Sequence, residues 1–148
     1  MLRKWLLPIL AVTAAAPAAA CDTSPLKIFY APGSLRLSEQ DLEVLDYMRL
    51  VAGETNFIRL TGHTDTAGPA MANMTLSQRR VDAARAYLIK LGMPPSRILT
   101  QSFGESRSIT ALDDGRADRR HRFVLIELLS PEVAKKGRAG RPKMTCGG

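Results

Sequence analysis

Apolar residues along this chain fall into short runs and spaced stripes that alternate. Leu26-Lys27-Ile28-Phe29-Tyr30 reads as a strand, and Ala31-Pro32-Gly33-Ser34 breaks it with two strong turn residues. Ser38-Glu39-Gln40-Asp41 resembles a helix-opening capping box, with Asp41 in the place usually held by Glu or Gln. Leu42, Leu45, Met48 and Ala52 follow at helical spacing, acids gather in the first turns, and Gly53 is a natural stop. Phe57 to Thr61 is a second strand. A loop with two glycines, Pro69 and short polar side chains leads to a second helix, from about Thr75 to Leu91. Its apolar stripe is Val81, Ala84, Leu88 and Leu91, and Asn73, Thr75 or Ser77 can cap it. Gly92 and Pro94-Pro95 end that helix. Arg97 to Ser102 is a third strand, and the stretch from Ile109 to Arg120 is polar and irregular. Phe123 to Leu128 is the last strand, with a near-continuous apolar run that predicts burial on both faces. The order β-α-β-α-β-β defines the fold class as α/β, a βαβαββ sandwich of one mixed sheet and two principal helices. Residues 26–130 form one domain, and roughly 110 residues suffice for one core.

Charge changes the picture little once it is located. The net charge of +7 and pI near 9.9 invite a nucleic-acid partner. Yet residues 21–130 carry 14 Lys and Arg against 13 Asp and Glu, a balance of +1. The excess lies in residues 131–148, where Lys135, Lys136, Arg138, Arg141 and Lys143 face only Glu132. That Gly/Pro-containing stretch reads as a basic flexible tail, a solvated end or a weak contact with anionic headgroups. Nucleic-acid binding draws mostly on phosphate neutralisation, so the nearly neutral domain argues for no nucleic-acid partner.

The first 20 residues read as a secretory signal peptide. Arg3 and Lys4 precede an apolar run, Trp5 to Ala16, and Ala18-Ala19-Ala20 supplies a small-residue cleavage signal. The run is shorter than the roughly 20 apolar residues of a spanning helix, so the mature chain is expected to be exported without one. Residues 21–25 form a tether. Cys21, immediately after the cleavage signal, is placed to receive lipid; ordinary cleavage with a Cys21–Cys146 disulfide is the alternative. Asp22 is consistent with inner-membrane retention in some bacteria, whereas lipidation otherwise points to the outer membrane.

The chemistry concentrates in Gly62 to Arg80. Gly62 and Gly68 permit backbone shapes that other residues resist. A helix N-terminus with free N–H groups, strengthened by Arg80 a turn further in, favours a carboxylate. Asp65 can accept hydrogen bonds from an ammonium. The two residues suit a zwitterion, or they pair with each other across the loop. Enzyme readings are weaker. His63 and His121 are the only histidines, too few for a histidine-based zinc site. His63, Asp65 and Ser77 hold the atoms of a hydrolytic triad, but there is no G-x-S-x-G elbow. Neither a metal nor another cofactor is called for.

Thr61-Gly62-His63-Thr64-Asp65, then Gly68, Asn73, Leu76-Ser77 and Arg80, resemble the peptidoglycan-binding domain shared by OmpA C-termini, Pal lipoproteins and flagellar motor stators. Arg97-Ile98, Gly104-Glu105 and Gly115 to Arg120 extend the resemblance to about residues 26–129. It implies non-catalytic binding of peptidoglycan peptide stems at meso-diaminopimelate, whose side chain ends in an ammonium and a carboxylate. Asp65 would take the ammonium and Arg80 the carboxylate, with Thr66 and Asn73 supporting the loop and Arg119 adding a contact. The chain would tether the envelope membrane to the wall at the periplasmic face of the outer membrane. A protein-interaction module with a vestigial wall-binding pocket is the alternative. Asp118, where the family usually has Asn, His121, where it has a small apolar residue, and the loop Ala31–Ser34 depart from the pattern.

Overall fold

The computed structural model describes residues 24–106 and 118–137. The expected signal peptide, Cys21, Asp22 and Cys146 lie outside them. The described elements run β1 (Leu26–Phe29), α1 (Glu39–Ala52), β2 (Phe57–His63), α2 (Ala70–Lys90), β3 (Ile98–Gly104), β4 (Phe123–Leu129) and α3 (Pro131–Gly137). The strands form one mixed sheet in the order β1-β4-β2-β3. β4 lies between β1 and β2 and is antiparallel to both, while β2 and β3 are parallel. The fold is therefore the expected α/β sandwich, with one open sheet and two principal helices.

One face of the sheet makes the core with those helices. Ile28, Ile58, Leu60, Ile98, Val124 and Ile126 meet Leu45, Met48 and Ala52 of α1 and Val81, Ala84 and Leu88 of α2. The two stripes read from the sequence are the buried ones, apart from the half-buried Leu42 and Leu91. The capping box forms: Ser38 Oγ accepts from Asp41 N–H, and the Asp41 carboxylate accepts from Ser38 N–H. On the other face the burial expected of β4 is partial. Phe123 and Leu129 are buried, whereas Leu125 and Glu127 are half-buried. Glu127 there receives a two-point ion pair from Arg59 of β2, at 2.8 and 3.1 Å.

Three expectations need correction. α2 begins at Ala70, not near Thr75; Pro69 precedes it and no side chain caps it. Ala70-Met71-Ala72 are good helix formers, and proline is tolerated at a helix start, so the punctuating Pro69 opens the helix instead of delaying it. Gly62 lies inside β2 without a left-handed backbone. A Cβ there would sit 2.6 Å from the Ser77 carbonyl oxygen and 2.8 Å from Val81 Cγ2, so the residue permits close strand–helix approach. Finally, the stretch predicted as a flexible tail begins with α3. Ala134 is buried and its N–H donates to Ser130 O, which docks this turn on the end of β4.

Candidate functional site

The loop between β2 and α2 is held from three sides. Thr64 N–H donates to Gly104 O at 2.9 Å, anchoring the loop's root to β3. Gly68 takes a left-handed φ of 99°, which a side chain would resist. The Asn73 amide, inside the first turn of α2, donates to Asp65 O, Ala67 O and the Glu105 carboxylate. Asn73 thus cross-links the loop and does not cap the helix. Thr75 and Ser77 bond carbonyls within α2.

Asp65 and Arg80 are both buried and do not pair with each other. Asp65 Oδ2 accepts from Arg122 Nη1 at 2.7 Å, and these side chains are only 8 and 9 % exposed. Arg122 Nε also donates to Tyr30 O, while Tyr30 N–H donates to Arg122 O. Arg122 is thereby clamped between Asp65 and the end of β1. It was absent from the residues singled out in the sequence, because it falls between the polar, irregular stretch that ends at Arg120 and the strand that opens at Phe123. Its signal is its place directly ahead of the buried run at Phe123.

Arg80 has no exposed surface. Its Nε donates to Ser34 O at 2.9 Å and its Nη2 to Ala31 O at 3.1 Å. The guanidinium lies over the Tyr30 ring, 4.7 Å from the centroid. Nη1 is buried without a hydrogen-bond partner among the described residues. Burial is the main influence pulling the Arg80 pKa down, opposed by Tyr30. Burial also pushes the Tyr30 phenol far above its ordinary range, helped by the charge of Asp41. Because α2 starts at Ala70, Arg80 lies about 15 Å along the helix from its first residue. The free N–H groups of the helix start and the Arg80 guanidinium therefore serve different places.

Thr66 is half-buried and its side chain bonds no described residue. Arg119 is exposed and lines a groove of about 730 Å³, together with Lys27, Phe29, Arg36 and the first turn of α1. Ala31 and Ser34 also line that groove. Their backbone carbonyls are the two that accept from Arg80. Beside Arg119, Asp118 accepts from Arg120, and these hydrogen bonds hold its carboxyl down to about 2. The triad atoms do not assemble. Ser77 Oγ donates to Met74 O and accepts from Gly104 N–H, Asp65 is taken by Arg122, and His63 stacks on Phe123 at 4.6 Å. No cluster of metal-ligating side chains occurs among the described residues.

This arrangement of loop, helix and buried charges lies within residues 29–122, which match the OmpA family model. The chain belongs to the OmpA family. Among OmpA-family relatives it is 45 % identical over 72 residues to outer membrane porin F of Pseudomonas fluorescens. That match covers 47 % of this chain and 22 % of the porin. It is 37 % identical over 57 residues to the peptidoglycan-associated lipoprotein of Rhizobium meliloti, covering 38 % and 32 %. The chain thus spans well under half the length of these curated relatives. The crystal structure of the peptidoglycan-associated lipoprotein from Burkholderia pseudomallei superposes with a TM-score of 0.57 at 21 % identity, covering 70 % of this chain and 87 % of that one. That superposition shows that the two chains share the OmpA-like fold.

Proposed function

We propose that this protein binds the peptide stems of peptidoglycan without catalysis, at meso-diaminopimelate, and so tethers an envelope membrane to the wall. The observation that carries the reading is Arg80. Among the described residues it is a fully buried guanidinium with no carboxylate partner and one unbonded terminal nitrogen, inside the family-matched stretch. An unpaired buried charge is expensive, which makes a carboxylate from outside a favourable partner. Arg80 would receive the diaminopimelate carboxylate, Asp65 is the residue the family resemblance assigns to the ammonium, Asn73 and Thr66 shape the loop, and Arg119 adds a contact from the groove. Lipidation at Cys21 would hold the chain at the periplasmic face of the outer membrane.

Charged hydrogen bonds contribute about 1.5–3 kcal/mol each, and micromolar affinity needs about 8 kcal/mol, so one site binds weakly. Many anchored copies on a wall with many stems supply avidity. Co-sedimentation with purified sacculi tests the reading. Arg80→Met keeps the side-chain volume and is expected to lower wall binding by about tenfold or more, the value of one charged contact. Asp65→Asn is the parallel variant for the other charge. Undiminished binding by folded Arg80→Met protein rejects the assignment.

A second reading is an envelope protein-interaction module with a vestigial pocket. The closed state of both charges favours it, since Arg80 is sealed by two carbonyls and Asp65 by Arg122. Partner capture that persists in Arg80→Met protein after wall binding is lost would support it.

A further inference from the structure

We propose that the opening turn of α2 is an oxidant-trapping site: hypohalous acids convert Met71 and then Met74 to sulfoxides, while Met48 and Met93 are spared. The inference goes beyond wall binding and does not depend on it.

The methionines of the described residues fall into two groups. Met48 and Met93 are 2 and 1 % exposed and belong to the core. Met71 and Met74 are 83 and 41 % exposed. A thioether left in water forgoes the burial through which methionine ordinarily stabilises a fold, so packing gives no account of this pair. Three residues apart, the two share one face of the helix. They also stand on either side of Asn73, whose amide holds the loop.

The step is a two-electron oxidation of sulfur. The thioether lone pair attacks the electrophilic chlorine of hypochlorous acid, and hydroxide leaves. Water adds to the chlorosulfonium, then chloride and the water's two protons depart, one of them neutralising the hydroxide. Sulfur keeps the oxygen and chlorine is reduced to chloride. The product is polar, and reductases that draw on a dithiol restore the thioether. Attack needs access to sulfur, so a buried methionine reacts only when the structure opens around it.

The two positions differ in consequence. Met71 is largely in solvent, so its sulfoxide changes polarity and little else. Met74 is tied into the structure. Ser102 Oγ lies 2.8 Å from Gln78 Oε1 and 3.7 Å from Met74 Sδ, so its single proton goes to Gln78 and the thioether is a weak second acceptor. A sulfoxide oxygen accepts more strongly and competes for that proton. Ser102 precedes Gly104 on β3, and Gly104 packs against the Met74 backbone: a Cβ there would lie 3.0 Å from Met74 N and 3.1 Å from Met74 Cα. Gly104 O in turn accepts from Thr64 N–H at the root of the loop. Oxidation of Met74 is therefore felt where β3, α2 and the loop join.

The test uses the full chain, with any free thiol capped by N-ethylmaleimide, and hypochlorous acid added in small steps. Trypsin puts Met48, the Met71/Met74 pair and Met93 on separate peptides, residues 37–49, 60–79 and 91–97, and fragmentation resolves the pair. Met71 is expected to gain oxygen about twofold faster than Met74, in line with exposure, and both at least about tenfold faster than Met48 and Met93. Amide resonances supply the second readout. Oxidised Met71→Leu protein, which retains Met74, is expected to shift at Ser102, Gly104 and Thr64. Oxidised Met74→Leu protein is expected to hold those three in place. Oxidation of Met48 or Met93 in folded protein as fast as the α2 pair overturns the trap. Unmoved Ser102 and Gly104 amides after Met74 has gained its oxygen overturn the link to the loop.

Discussion

At the scale of single residues, the close approach at Gly62 makes a sharp prediction. Gly62→Ala puts a methyl against the Ser77 carbonyl oxygen and Val81, where backbone cannot yield cheaply. The variant is expected to lose about 1–3 kcal/mol of stability by urea unfolding, the usual range for overpacking a dense contact. Asp65, Arg80 and Asn73 were readable from the chain because short motifs carry them. The roles of two of them were not. Whether Asp65 meets Arg80 or Arg122 depends on which strand ends lie side by side, and Arg122 is 57 residues from Asp65. No spacing rule reaches that far. Arg119, singled out with Asp65 and Arg80, instead lines the groove together with Ala31 and Ser34.

At the scale of elements, local chemistry was legible wherever it acts within a few residues. The capping box at Ser38 is the plainest case. Ser38→Ala removes the acceptor for Asp41 N–H and one donor to its carboxylate. It is expected to cost about 1 kcal/mol of thermal or urea stability, typical for an N-cap serine. The helical stripes of α1 and α2 and the apolar run of β4 were likewise direct consequences of periodicity. The start of α2 was not, because a Gly-Pro pair ends one helix as readily as it opens another. Nor was α3, whose seven residues include three charged ones and which is held by the buried Ala134 and not by any stripe of its own.

At the scale of the molecule, the strand order decides what each segment is worth. The class of fold follows from the alternation of strands and helices, but the insertion of β4 between β1 and β2 is a long-range pairing that no local pattern specifies. Two truncations separate the contributions of the C-terminal elements. A chain ending at Ser130 loses α3 and is expected to melt cooperatively, with stability lowered by about 1 kcal/mol from the buried Ala134 contact. A chain ending at Arg122 lacks β4, which joins β1 to the rest of the sheet, and is expected to show no cooperative transition by circular dichroism. The same placement of β4 has a consequence for the order of events in time. Asp65 and Arg80 leave the ribosome, or any export channel used N-terminus first, well before Arg122 and β4. Until that last strand slides into the middle of the sheet, Asp65 has no guanidinium and the core has no centre. Such long-range closure is slow relative to local helix formation. Maturation is therefore a late, single closing step, and during synthesis the half-made sheet is the state most exposed to aggregation and to the quality-control machinery.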